Sequence, residues 1–200
     1  MTVEGHPIFR GGLETLISSQ PDMELVAQAE IADEAISEYR RLKPDVVLMD
    51  QRLPGTTGTE TLIAIRKQSP DARIIMLTMS RGDIEIQRAL RAGAAAYVLK
   101  STSKDELIKS IRTVSKGNKY IPRDVAGVVA EHWGEETLTV REIEVLSLIR
   151  DGTKNKQIGD RLGISETTVN FHIKNISAKL HARDRTHAVT LAVRRGLLEM

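Results

Sequence analysis

A doubly wound parallel α/β domain followed by a small all-helical domain is the fold class this sequence predicts. Three observations carry it. Four short apolar runs, Leu25–Ala27, Val46–Met49, Ile74–Leu77 and Ala95–Leu99, alternate with amphipathic stretches over the first 120 residues. All six prolines fall at or before residue 122, and no strand-like run follows. Between Arg150 and Arg195, ten lysines and arginines stand against four acids, although the whole chain of 200 residues carries a net charge of only +2. Continuous apolar runs suit strands buried on both faces of a parallel sheet, and a basic end on an otherwise acidic chain points to a polyanion.

The elements follow in order. Only Met1-Thr2-Val3 precedes Glu4, which leaves a truncated first strand. Amphipathic spacing predicts helices near 8–19, 33–42, 59–68, 84–92 and 104–116. Gly11-Gly12 lies inside the first and costs about 1 kcal/mol per glycine relative to alanine. Ser103-Lys104-Asp105-Glu106 is a capping box opening the last of them. Repeated strand–helix units give a parallel sheet covered by helices. The first domain therefore spans 1–120 and a linker spans 121–136, where Val125, Val128 and Val129 fit a short helix over 123–133. Trp133 is expected to anchor this linker against one of the domains.

Residues 137–200 read as wholly helical. Thr139-Val140-Arg141-Glu142 is a second capping box, and Asp151-Gly152 ends the helix it opens. Asn155–Leu162 is a short helix closed by Gly163. Ser165 caps a third, Glu166–Leu180, with Val169, Ile173, Ile176 and Leu180 facing inward. A fourth runs from about 186 to 195. A short helix, a glycine turn and a longer helix make a helix-turn-helix.

Composition removes several classes. The absence of cysteine excludes disulfide scaffolds, thiolate zinc sites and cysteine nucleophiles, and it fits a reducing compartment. No apolar run approaches the ~18 residues of a membrane helix, and the start lacks signal-peptide features. A cytoplasmic location without membrane partners is expected. The five histidines show no ligand spacing, and no Gly-x-Gly-x-x-Gly follows a strand, against a dinucleotide enzyme.

Parallel sheets place ligands beyond the carboxyl ends of their strands. Three runs end there in polar residues: Met49-Asp50, Leu77-Thr78 and Leu99-Lys100. Singly, each would merely end a strand. Together, a carboxylate, a hydroxyl and an ammonium can accept and hold a phosphoryl group, the carboxylate attacking and the ammonium offsetting oxyanion charge.

These residues carry a resemblance. His6-Pro7-Ile8-Phe9-Arg10, Asp45 through Gly55, Ala92-Gly93-Ala94 and Tyr97-Val98-Leu99-Lys100 resemble a CheY-like receiver domain of flavodoxin-like topology. Leu138 through Glu142, Leu162 through Val169 and Arg183-Asp184-Arg185-Thr186 resemble the LuxR-type helix-turn-helix of the NarL/FixJ response regulators. The resemblance implies that Asp50 accepts the phosphoryl group, that Thr78 and Lys100 contact it and that Tyr97 is the aromatic switch. It further implies a Mg²⁺ site of Glu4, Asp50 and the Arg52 backbone carbonyl, and a sensor histidine kinase as partner. No catalytic residue is expected, because a phosphohydrolase of the haloacid dehalogenase type would need an aspartate where this chain has Arg52.

One departure bears on control. The family sets two acids before the His-Pro pair, and here they are Glu4 and Gly5. Mg²⁺ tolerates little departure from octahedral geometry, and Glu4, preceded by three residues, is expected to be poorly fixed. Weak or absent Mg²⁺ binding follows, with slow or absent phosphorylation of Asp50. The alternative is a receiver serving as a phosphorylation-independent dimerisation or ligand-sensing module.

For DNA, subtracting the inward positions of the third helix leaves Thr167, Thr168, Asn170, Phe171, Lys174, Asn175 and Lys179 outward. The resemblance assigns base reading to Asn170, Phe171 and Lys174. Lys154 and Lys156 stand at the start of the second helix, suited to phosphates. Val189, Ala192 and Val193 on the last helix are assigned to the dimer face. The expected partners are double-stranded DNA and a second copy of the chain on it.

Overall fold

The computed structural model describes residues 1–131 and 137–198, so Trp133 lies outside the described residues. The chain forms two compact units. The α/β elements are, in order, β1 (Thr2–Val3), α1 (Pro7–Ser18), β2 (Gln28–Ala29), α2 (Ala32–Leu42), β3 (Val47–Asp50), β4 (Arg52–Leu53), β5 (Thr56–Thr57), α3 (Gly58–Gln68), β6 (Ile74–Thr78), α4 (Asp83–Arg91), β7 (Ala96–Leu99) and α5 (Lys104–Ser115).

Five strands make one parallel sheet in the order β2-β1-β3-β6-β7. With the hairpin strands set aside, this is the flavodoxin-like order. Every residue of β3, β6 and β7 is buried, as strands covered on both faces must be. Alternation sends Leu48, Ile75, Leu77, Ala96 and Val98 to one face, where they pack with Leu13 and Ile17 of α1 and with Leu107, Ile108, Ile111 and Val114 of α5. On the other side α2 packs on α3, and α3 on β6.

Two local expectations need correction. The strand expected at Leu25–Ala27 forms instead at Gln28–Ala29, because this edge strand is defined by its pairing with β1, Thr2 with Gln28 and Val3 with Ala29. Ser103 does cap α5, accepting from the Glu106 N–H at 3.3 Å. The Glu106 carboxylate does not reach back, however; it accepts from the Tyr120 hydroxyl. The hairpin β4–β5 was not anticipated, although Pro54-Gly55 between its strands, with Gly55 at φ 76°, is a turn signal.

A helix α6 (Arg123–Glu131) follows, in the segment whose valines are spaced for one. The second unit then holds α7 (Val140–Arg150), α8 (Asn155–Leu162), α9 (Glu166–Lys179) and α10 (Arg185–Arg194). Thr139 and Glu142 close both halves of the capping box of α7. Val145, Leu146 and Ile149, Ile158, Val169 and Ile176, and Ala188 and Ala192 build a single core. Gly163 ends α8 in the left-handed region at φ 66°, where glycine carries no Cβ penalty. One turn earlier, a Cβ on Gly159 would stand 2.6 Å from the Ile164 carbonyl, so only glycine lets the turn close on α8.

Ala192 is wholly buried in this core, which removes it from the dimer face assigned to it. The reason is helical spacing: Ala188 and Ala192 share one face of α10, turned to α7 and α9. Val189 and Val193 remain half-buried beside it.

Candidate phosphoryl-acceptor site and nucleic-acid interface

Strand register assembles the first site. Asp50 pairs with Leu77 and Thr78 with Leu99, so Asp50, Thr78 and Lys100 emerge at one edge of the sheet. The Lys100 N–H donates to the Thr78 carbonyl at 2.7 Å. Glu4 follows β1 and is fully buried. Its Oε1 accepts from the His6 N–H at 2.9 Å and its Oε2 lies 2.7 Å from Lys100 Nζ. The same Nζ lies 2.9 Å from Asp50 Oδ2, and Asp50 Oδ1 accepts from the Arg52 N–H at 3.2 Å. The Phe9 ring covers the ammonium at 4.6 Å.

Glu4 is therefore well fixed, contrary to the expectation from its short strand. Burial pushes its carboxyl above the usual range, while hydrogen bonds from Lys100 and the His6 amide pull it down. Lys100 bridges the two carboxylates and supplies the positive charge they need where little water reaches them. Thr78 is buried at the same edge, and Tyr97 is wholly buried, on the sheet face opposite α1 and α5.

The donor set offers Mg²⁺ two side-chain carboxylates, Glu4 and Asp50, with the Arg52 backbone carbonyl beside them. Gly5 contributes no oxygen, and both remaining carboxylates are held by one ammonium. A Mg²⁺ ion held here would enter between two carboxylates that Lys100 already bridges, with water supplying most of its octahedral shell.

The second candidate site is the exposed side of α8 and α9. Lys154, Lys156, Thr167, Asn170, Phe171 and Lys174 are exposed. Phe171 keeps 61% of its surface in solvent, an unusual state for so apolar a side chain. Two other members of the expected set have partners inside the domain, and a third is half-buried. Lys179 Nζ bonds Glu142 Oε2 at 2.9 Å, Thr168 bonds Ser165 at the cap of α9, and Asn175 is half-buried. Burial raises the Glu142 carboxyl, but hydrogen bonds from Thr139 and Lys179 outweigh it and hold the group below the usual glutamate range.

Sequence reasoning missed Asn155. Its Nδ2 donates to Asn170 Oδ1 at 2.8 Å. No pattern in the chain signals a contact that exists only once α8 and α9 cross.

A parallel sheet presenting an aspartate at its carboxyl edge, in one chain with a helix-turn-helix, defines a response regulator that acts on DNA. Residues 1–112 match the family model of the response regulator receiver domain, and residues 136–192 match that of bacterial regulatory proteins of the luxR family. The transcriptional regulatory protein LiaR of Bacillus subtilis is 37% identical over 99% of this chain and 98% of its own. The response regulator ChrA of a heme-sensing two-component system is 30% identical, with a TM-score of 0.59 over 99% of this chain and 97% of that one. A structure of RcsB dimers bound to DNA shares the fold, with a TM-score of 0.72 at 23% identity over 96% of both chains. The chain belongs to the two-component response regulators that carry a luxR-family DNA-binding domain, and it is a transcription regulator of that type.

Proposed function

We propose that this regulator binds double-stranded DNA as a homodimer through α9, and that its receiver is set by something other than phosphoryl transfer to Asp50. The observation that carries the second half is the closed Glu4–Lys100–Asp50 bridge beside a glycine where the family has an acid. A phosphodonor brings negative charge to a carboxylate, and a divalent cation is what makes that approach tolerable. Here the Lys100 ammonium beside Asp50 is already shared between two carboxylates. A sensor kinase then has no role at this aspartate, and the chain needs no catalytic residue of its own.

On DNA, α9 enters the major groove with Asn170, Phe171 and Lys174 toward base edges, and Lys154 and Lys156 take phosphates. Asn170 accepts a hydrogen bond from Asn155, so its free face offers amide protons. It therefore addresses acceptors such as guanine O6 and N7 or thymine O4, where an unrestrained asparagine would pair bidentately with adenine. The Phe171 edge suits a thymine methyl. Val189 and Val193 form the contact between copies.

A small-molecule phosphodonor with Mg²⁺, followed by intact-mass analysis and DNA titration, tests the reading. The expected result is an unlabelled chain whose DNA affinity does not change. The Gly5→Asp variant should gain label, since a Cβ there meets nothing closer than Pro54 Cδ at 3.4 Å, an ordinary contact. Rapid Mg²⁺-dependent incorporation of phosphate into the unaltered chain, abolished by Asp50→Asn, would overturn it.

A further inference from the structure

On the outward side of α9 the exposed Phe171 ring is held from behind by the half-buried His172. The two meet edge to face, with ring centroids 6.2 Å apart and planes at 62°, a favoured aromatic geometry. Thr167, four residues earlier and exposed, shares that side, because residues so spaced are neighbours on a helix. Its methyl and the Phe171 edge form a short apolar strip, bordered by the amide of Asn170 and the ammonium of Lys174.

Each part of this surface asks for a different group on a base. The apolar strip suits a methyl at pyrimidine C5, the one apolar group that bases present in the major groove. Asn170, its oxygen turned to Asn155, presents amide protons and so favours acceptors over the amino groups of cytosine and adenine. Lys174 only donates, and it favours guanine O6 and N7. A guanine and a pyrimidine methyl are therefore wanted together. Thymine beside guanine supplies both. Cytosine beside guanine supplies the acceptors and lacks the methyl, and methylation at C5 adds it without altering base pairing.

We propose that this regulator reads C5-methylated cytosine–guanine steps in duplex DNA, so that methylation of an operator cytosine strengthens its binding. Phe171 and Thr167 take the methyl, and Asn170 or Lys174 takes the guanine beside it. A contact made to a methyl group does not tell thymine from 5-methylcytosine, but it tells both from uracil and cytosine. The inference rests on the preceding reading in that α9 must lie in the major groove.

The test uses the full-length chain and an operator duplex selected from a randomised pool. Replacing the contacted thymine by uracil, which removes only the methyl, should weaken binding about fourfold, the worth of one buried methyl group. With cytosine–guanine in place of that base pair, 5-methylcytosine should bind about fourfold more tightly than cytosine. In Phe171→Ala, a change at an exposed position where the fold is not at stake, both ratios should fall to about one. Phe171→Leu should keep part of the response, and Lys156→Ala should weaken every duplex while leaving the ratios intact. Equal affinity for thymine and uracil at every position would overturn the proposal, as would a 5-methylcytosine effect that survives Phe171→Ala. Lys174→Ala separates the two readings. If it weakens operator binding while no methyl group matters, only this proposal falls. If neither Lys174→Ala nor any base change alters binding, α9 leaves the groove and both fall.

Discussion

Glu4, Lys100 and Asp50 close on one another at the edge of the sheet, whereas Asn170, Phe171 and Lys174 stand open on α9. Both groups sit where regular structure presents side chains outward, one past strand ends and the other along a helix. In the first, one ammonium holds two carboxylates where little water reaches them, so opening the bridge costs stability. In the second, water satisfies the polar groups, so a partner can replace water at little cost. The difference separates charged groups already paired with one another from polar groups still paired with water.

The largest effect should come from Lys100→Met, which leaves two buried carboxylates without their cation. Receiver stability should fall by about 3–5 kcal/mol in chemical denaturation, and adding Glu4→Gln should recover part of the loss. A change below about 1 kcal/mol would mean that the bridge is solvated.

Next comes the open side. Lys174→Ala should weaken operator binding by about 1–3 kcal/mol and relax preference at one base position. Lys156→Ala should instead weaken all sequences alike and lower the salt slope by about one unit. Salt titrations on specific and scrambled duplexes distinguish the two, and wild-type behaviour in both variants would remove α9 from the groove.

Glu142 sharpens the comparison from within the helical unit, since it forms a small closed cluster behind the open face. Its carboxyl is held below the usual value of about 4.3. The stability it contributes is present above that value and is lost as pH falls through the lowered one. Glu142→Gln should flatten this acid-side loss in thermal melts between about pH 5 and pH 3. An unchanged pH profile would show the Lys179 pair to be idle.

The smallest effect belongs to Asn155→Ala. It frees Asn170 Oδ1, so adenine should become acceptable at the base Asn170 reads, with total affinity changed by about 1 kcal/mol or less. Site selection from a randomised duplex measures this, and an unaltered preference would show that Asn155 does not orient Asn170.

Much of the fold was legible because its determinants are local. Asn155–Leu162 was bounded correctly by a turn residue on either side, and the Thr139–Glu142 box closed in both directions because its partners lie three residues apart. Where a determinant is not local, reading failed. The edge strand β2 went to Gln28–Ala29, away from the apolar Leu25–Ala27, because backbone pairing with β1 places it. The Glu106 carboxylate left its own helix for Tyr120, fourteen positions away.

The sequence by itself determined the order of elements apart from the β4–β5 hairpin, the three polar residues at the sheet edge, the glycine in place of an acid at Gly5, and the outward set on α9, since periodicity and strand ends decide which side chains face out. Only the tertiary structure decided what those side chains spend themselves on. Lys100 only ends a strand in the sequence, but Glu4, ninety-six positions earlier, comes within 2.7 Å of its ammonium. Lys179 could have faced a phosphate, but α7 brings Glu142 to it from thirty-seven positions away. Ala192 could have lain on a dimer face, but α7 and α9 cover it. Periodicity fixes the direction in which a side chain leaves its own helix or strand, and the packing of distant elements fixes whether a partner is already there.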